Sequence, residues 1–399
     1  MDEELPYAGL QVLDASQGIA GPHCGMLLAQ HGADVIKMEP PHGDWMRQSG
    51  KQYGDQTASS LNFSRGKRSI ALDLKTPEGL DLAQALAKRC DVLLENFRPG
   101  VMARYGLDYE SVRKDNADVV YASTLGFGDR GPESDRPVTD MVMQGYSGWM
   151  HMNRDRGGTP HRADMPAIDV MTGLYGFQAV SAALYRHART GKGAHVEVNM
   201  MEAAGAFQAA KIIESHLEQG VPQPLGAPIG TYPTADGFIN LNARQNHKFA
   251  GLCEIVGHEE WMDDPRFATP EARVAHGPDL AVALAEVLST RPTAEWAEGL
   301  RSHDIIHTKI NTYDDYLSSE QTAAMGTVAW IDHPDIGRLP MHNIPGTPRL
   351  HQGDLAATAP HIGEHTREIC RTLDLDDAAI DALRDNGAIE IYGEDMHTD

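Results

Sequence analysis

Asp169 is the residue in this chain whose type and setting point most directly to chemistry. It heads a run, residues 170–184, in which nothing is charged and the small residues Gly173, Gly176, Ala179 and Ala183 recur three or four apart. That spacing predicts a buried helix whose small face lets a neighbour approach closely. Arg186 and Arg189 suit the negative end of its dipole, and Gly191 suits its exit. Residues 194–199 then alternate as a strand does. A carboxylate in the first turn faces the positive end of the dipole, which favours the ionised form a nucleophile needs. The same placement suits a simple helix cap, and on local pattern alone the cap reading leads.

Four other patterns carry less. Gly126-Phe-Gly-Asp-Arg-Gly131 fits GxGxxG, but Pro132 and Pro137 follow and no apolar helix begins there, so a dinucleotide site is not expected. His361-Ile-Gly-Glu-His365 fits HxxEH, yet Gly363 weakens the helix that pattern requires. His303 and His307 lack an acidic partner pattern, and no metal site is expected. Arg244, Gln245, Asn246 and His247 cluster after an apparent strand, GFINLNA. An arginine there would suit a substrate carboxylate, and a solvated loop accounts for the cluster equally well.

The totals narrow the class. With 34 Lys plus Arg against 57 Asp plus Glu, the net charge of −23 argues against nucleic-acid or anionic-membrane binding. Cys24, Cys90, Cys253 and Cys370 form no zinc or redox spacing, which points to a reducing, cytoplasmic setting. MDEELPYAGL has neither the basic start nor the apolar core of a signal peptide, and no membrane span is expected.

The elements that must position Asp169 read as strands alternating with helices. Strands are expected over residues 10–15, 34–39, 69–74, 91–97 and 119–125. A first helix runs from about Pro22 to before Gly32, and a second is capped by Thr76 with Pro77 in its first turn. This predicts an α/β fold, a Rossmann-like doubly wound parallel sheet, with ligands at the carboxyl ends of the strands. Ser16, Gln17, Lys75, Thr76 and residues 96–98 lie there. Between residues 62 and 104 eight Lys/Arg (65, 67, 68, 75, 88, 89, 98, 104) face five Asp/Glu. That basic island is either the seat of a polyanionic ligand or a solvated face. After about Gln219 a Pro/Gly-rich stretch, residues 220–237, reads as a linker into a second domain. From about Met325 the chain returns through turns to a last helix, and its tail from Glu390 is expected to be loose.

Taken together, GLQVLDASQGIAGPHCGMLLAQHGADVIKMEPPHGD, NFSRGKRSIALDLKTPEG, ENFRPG, STLGFGDRGP, DMVMQGYSG, the Asp169 segment with RTGKGAHVEVNMMEA, and GEHTREI resemble the class III CoA-transferases, the CaiB/BaiF family that includes formyl-CoA transferase. The resemblance spans almost the whole chain. It implies a large Rossmann-like domain from residues 1–224 and 325–399, a smaller α+β domain over 225–324, and an interlocked homodimer. It also implies coenzyme A and acyl-CoA as substrates, with no tightly bound cofactor. Asp169 would be the nucleophile that carries CoA from a thioester to a small carboxylate. Ile19, Ala20, Leu72, Asp73, Lys75, Asn96, Phe97, Arg98 and Arg104 would contact CoA, with Lys75 and Arg104 on its phosphates. Gln17 and Asp140 would stand at the substrate end, a structural role for Asp140 being the alternative, and Arg244 and Gln245 could select a dicarboxylate. The chain departs from the family at Pro40, where many members carry an arginine, and at Pro137, which replaces a frequent basic residue. Related racemases carry histidine where this chain has Thr139, which argues against proton transfer at a substrate α-carbon. That reading and a silent acyl-CoA-binding protein are the alternatives.

Overall fold

The apolar runs of the first half become neighbours in one sheet. The computed structural model describes residues 5–155, 157–220 and 224–394. Strands β1 (Gln11–Asp14), β2 (Asp34–Glu39), β3 (Lys67–Leu72), β4 (Val92–Glu95), β5 (Val120–Leu125) and β6 (Ala194–Asn199) lie side by side in the order β3-β2-β1-β4-β5-β6. All five pairings are parallel. Helices cover both faces, so the apolar residues of the central strands are buried on both sides of the sheet. Val12, Val35, Val92 and Val120 point to one core, with Leu28 and Val180. Leu13, Leu93 and Tyr121 point to the other, with Leu86, Ile369 and Ile380. The strand order reverses between β1 and β4, so the loops leaving those two strands part and leave a crevice at their carboxyl ends.

One helix starts at that crevice. Helix α1 (Ala20–Gln30) follows β1 directly and is buried along its whole length. Helix α2 (Pro77–Arg89) begins as expected, with Thr76 accepting from the Gly79 N–H and Pro77 in the first turn. Helix α3 (Asp140–Tyr146) and helix α4 (Ala167–Thr190) come later, and α4 ends at Gly191 in the left-handed region. The small face of α4 meets α1: a Cβ on Gly173 would stand 2.7 Å from the Ala20 carbonyl oxygen, and one on Gly176 3.5 Å from Cys24. The other face is not buried, which corrects the expectation of a wholly buried helix. Leu174 and Tyr185 are 48 % and 67 % exposed. Among the described residues α4 alone is long and apolar enough to cross a membrane, but its Gly173 face packs on α1 and 44 % of its apolar window is buried. Helix α5 (Met200–Leu217) starts immediately after β6.

The chain forms two compact units, residues 1–212 with 326–399, and residues 213–325. The second has a three-stranded antiparallel sheet, β7 (Ile229–Thr234), β8 (Gly237–Asn242) and β9 (Ile306–Lys309), packed by helices around Phe249, Leu284 and Trp296. This corrects the linker reading of residues 220–237: residues 221–223 lie outside the described residues, and 229–234 form an edge strand. Pro233 fits there because an edge strand need not donate on its outer side. A hairpin of β10 (Val328–His333) and β11 (Gly337–His342) likewise replaces the expected turns. Of the tail, residues 395–399 lie outside the described residues, but the part before them is not loose. Strand β12 (Ile389–Glu390) joins the large sheet antiparallel to β3, and Glu394 accepts from Arg367 and Arg384.

Candidate active site

Asp169 sits in the first turn of α4, preceded by Pro166, which offers the helix no side-chain acceptor. The exposed N–H groups are met from a distance in sequence: Asp140 accepts from the N–H of Ile168 at 2.7 Å and of Asp169 at 3.1 Å. Gln144, 1 % exposed, donates to the other Asp140 oxygen and ties it to residues 163–165 through Ala163 and Met165. From the opposite side the His23 ring donates to the Val170 carbonyl at 3.0 Å. Burial, then Lys67 and Arg65 nearby, hold His23 down at about 4, so the neutral ring makes this bond. The cap reading of Asp169 is therefore corrected. Asp140 caps the helix, and the Asp169 carboxyl accepts no hydrogen bond from a described residue.

The charge expectation changes with it. Burial, and then the Asp140 carboxylate, push Asp169 up to about 7. The helix dipole was expected to keep it ionised, but the N–H groups that carry the positive end are already spent on Asp140. A half-buried acid near 7 with an unused carboxyl is poised between protonated and nucleophilic forms.

Asp169 opens into a cleft of about 240 Å³ at the β1/β4 reversal. The structure brings Gln17, Ile19, Ala20, Asn96 and Phe97 to its wall, with Thr139 opposite. Asn96 holds Gln17 by both peptide groups, accepting its N–H at 2.8 Å and donating to its carbonyl at 2.6 Å. The N–H groups of Ile19, Ala20 and Gly21 in the first turn of α1 have no acceptor among the described residues. Trp45, Thr124, Leu125, Gly126, Val138 and Met200 complete the wall. Sequence reading named none of these six as site residues: Thr124, Leu125 and Met200 lie in stretches that carry the family resemblance, and Gly126 opens the GxGxxG motif set aside for dinucleotides. The loop it marks runs to α3 at Asp140, so no helix follows it directly.

Other named residues lie elsewhere. Leu72 is 1 % exposed in the core beside β12. Asp73 and Lys75 follow β3, where Asp73 accepts the Lys75 N–H at 3.0 Å. Arg98 and Arg104 are exposed on the far side of Phe97 or beyond. Arg244 and Gln245 belong to the second unit; Arg244 donates to the Leu225 carbonyl at 3.0 Å, and Gln245 precedes a helix, Asn246–Val256. The basic island is also corrected. Lys67 is buried on Asp14, Arg65 donates to the His342 carbonyl, Arg68 pairs with Asp34, Lys88 with Asp115 and Arg89 with Asp374. Lys75, Arg98 and Arg104 remain as exposed cations without an ion pair among the described residues. The histidine motifs serve structure: His361 bonds Asp55 at 2.7 Å and stacks on Tyr392, and His303 meets Glu254.

An acid at the carboxyl edge of such a sheet matches one comparison over nearly the whole chain: the model of CoA-transferase family III fits residues 7–366. The chain belongs to CoA-transferase family III. It is 33 % identical over 393 residues to a succinate–glutarate CoA-transferase of Agrobacterium fabrum, covering 92 % of this chain and 96 % of that one. It is 32 % identical to the succinyl-CoA:glutarate CoA-transferase of Mus musculus, covering 98 % and 91 %. A CaiB/BaiF family protein from Brucella suis superposes with a TM-score of 0.85 at 32 % identity, covering 93 % of this chain and all of that one. The chain is thus a CoA-transferase enzyme, and CoA thioesters are its substrates. For a family III enzyme the cleft has a telling composition. No lysine or arginine lines it, so it suits the neutral thioester end of the substrate rather than the phosphates.

Proposed function

We propose that this family III enzyme moves CoA from a thioester to a small dicarboxylate through covalent intermediates on Asp169. The observation that carries this reading is the unpartnered Asp169 carboxyl, aimed into a cleft at the sheet's reversal point and pushed up to about 7. Once ionised, an Asp169 oxygen attacks the thioester carbonyl, the carbon–sulfur bond breaks, and CoA leaves as thiolate. The thiolate attacks the Asp169 side-chain carbonyl of the mixed anhydride, which forms the aspartyl-CoA thioester and releases the donor carboxylate. The acceptor carboxylate attacks that thioester, frees the thiolate again, and the thiolate then takes the new acyl group and restores Asp169. Free N–H groups of Ile19, Ala20 and Gly21 are suited to the oxyanion of each tetrahedral step.

Lys75, Arg98 and Arg104 are exposed cations without an ion pair among the described residues and are assigned to the CoA phosphates, with Pro40 and Pro137 contributing no charge. Glutarate in the names of two relatives supports a dicarboxylate acceptor. The enzyme is a homodimer in this reading, with residues 213–325 as its smaller domain. Support comes from the apolar surface left open by α4 and α5, where Leu174, Tyr185, Phe207 and Ile212 are 48 %, 67 %, 59 % and 49 % exposed.

The test uses purified protein, succinyl-CoA and a panel of other acyl-CoA esters, with hydroxylamine as trap and peptide mass mapping. A hydroxamate on Asp169, absent from Asp169→Ala, is expected. Turnover with no label at Asp169 would overturn the covalent route.

A further inference from the structure

Beneath the cleft lies a group of charges that take no part in acyl transfer as written above. Lys37, Lys67, Asp14 and Asp44 are each 0 % exposed. Lys37 Nζ stands 2.8 Å from Asp44, and Lys67 Nζ 2.7 Å from Asp14. Burying an ion pair costs desolvation that apolar residues of equal volume avoid, so stability alone gives no reason for two of them.

Their remaining bonds converge on one segment. Lys37 donates to the Ser16 carbonyl, and Lys67 to the Pro22 carbonyl at 2.7 Å. Asp14 accepts the Ser16 N–H at 3.1 Å, and Asp44 accepts the Gly18 N–H with both oxygens at 3.0 Å. Asp44 also accepts the Met46 N–H at 3.0 Å, which fixes the residue after Trp45. Gly18 holds a φ of +79°, and a Cβ there would lie 2.3 Å from the Trp45 ring. The segment so gripped, residues 16–22, presents Gln17, Ile19 and Ala20 to the cleft, and Trp45 faces them. Backbone held by buried charge at four points cannot drift without unpairing one of those charges.

We propose that the Lys37–Asp44 and Lys67–Asp14 pairs are positioning residues for CoA transfer, fixing residues 16–22 and Trp45 around the thioester. This rests on the reading of the cleft as the transfer site. The double variant Lys37→Met/Asp44→Asn removes both charges of one pair and leaves neither partner unpaired. Three quantities are compared with the unaltered enzyme: the melting midpoint, the affinity for coenzyme A by titration calorimetry, and the rate of Asp169 labelling by succinyl-CoA with hydroxylamine. The melting midpoint is expected to hold within about 5 °C. Affinity for coenzyme A should fall about tenfold and labelling about a hundredfold, the scale of a misplaced reacting group. A folded variant with unchanged affinity and unchanged labelling overturns the proposal, as does one that loses only thermal stability. Should that double variant not fold, Lys67→Met/Asp14→Asn, which likewise removes both charges of one pair, is measured in the same way against the same outcomes. If the unaltered enzyme carries no label at Asp169, the transfer-site reading fails, while the coenzyme A affinities still decide between a positioning pair and an idle one.

Discussion

Asp14 and Asp169 are acids of the same unit, and the structure treats them in opposite ways. Asp14 is the more deeply buried, at 0 % exposed. Burial alone would push it up, yet Lys67 and Lys37 hold it below the usual carboxylate range. Asp169 is only half-buried, but burial and the neighbouring Asp140 carboxylate push it up to about 7. Depth does not decide charge here; partners do. One acid is locked in its charged form and serves architecture. The other is left without a donor and is free to react.

The largest effect that would sharpen this contrast is on turnover. Asp169→Asn should lower kcat by about a thousandfold or more, since the amide is no nucleophile. Its stability should change in the other direction. The folded Asp169 keeps its proton up to about 7, whereas the unfolded chain loses it near the ordinary 3.8, so folding stability falls as pH rises between those values. The Asn variant escapes that loss. Its melting midpoint should match the unaltered enzyme at pH 4 and exceed it by about 2–5 °C at pH 8.

Next is the locked acid. Lys67→Met leaves Asp14 buried and unpaired and should cost about 3–5 kcal/mol in urea unfolding. Asp14 has a lowered folded value, so its contribution is present above the unfolded value and lost as pH falls through the folded one. The two acids should thus give stability slopes of opposite sign. Finding the same sign would break the comparison. A smaller effect concerns the acid that tunes Asp169. The rate kcat/KM should climb as pH passes about 7, and Asp140→Asn should move that limb to lower pH by removing a like charge. The smallest effect belongs to the surface: Lys75→Ala with Arg104→Ala should raise KM for the CoA thioester about 3–10-fold, less so at high salt.

The parts of this design that depend on local sequence were legible, and those that depend on distant partners were not. The strands at β1 to β5 and the Thr76-Pro77 helix start came from apolar runs and a cap, all within a few residues. Asp169 stood out because it heads a long uncharged run. The cap on its helix, however, comes from 29 residues upstream, and nothing around Asp140 announces that destination. Lys67 and Arg68 read as members of a basic surface because a residue type does not reveal the acid it will meet in space. Asp14 lies 53 residues from Lys67. Pro233 and Pro340 read as turn formers, although both sit in strands whose outer edges are open. The wall residues Trp45 and Val138 carry no pattern at all, since lining a cleft requires only position.

Strand β12 bears on how the chain is made. It pairs with β3 across more than 300 residues of sequence, and it is joined by other late bonds: Arg47 and Gln56 donate to the Pro360 carbonyl, Gln30 to that of Ala356, and the Gly66 N–H to that of Thr358. During synthesis the first 212 residues therefore wait with an open sheet edge and unmet buried donors until about residue 390 has left the ribosome. An open edge strand is a template for pairing with other chains. The catalytic half of the enzyme is the first to be translated and the last to close, which makes the nascent chain, rather than the finished protein, the form most exposed to misassembly.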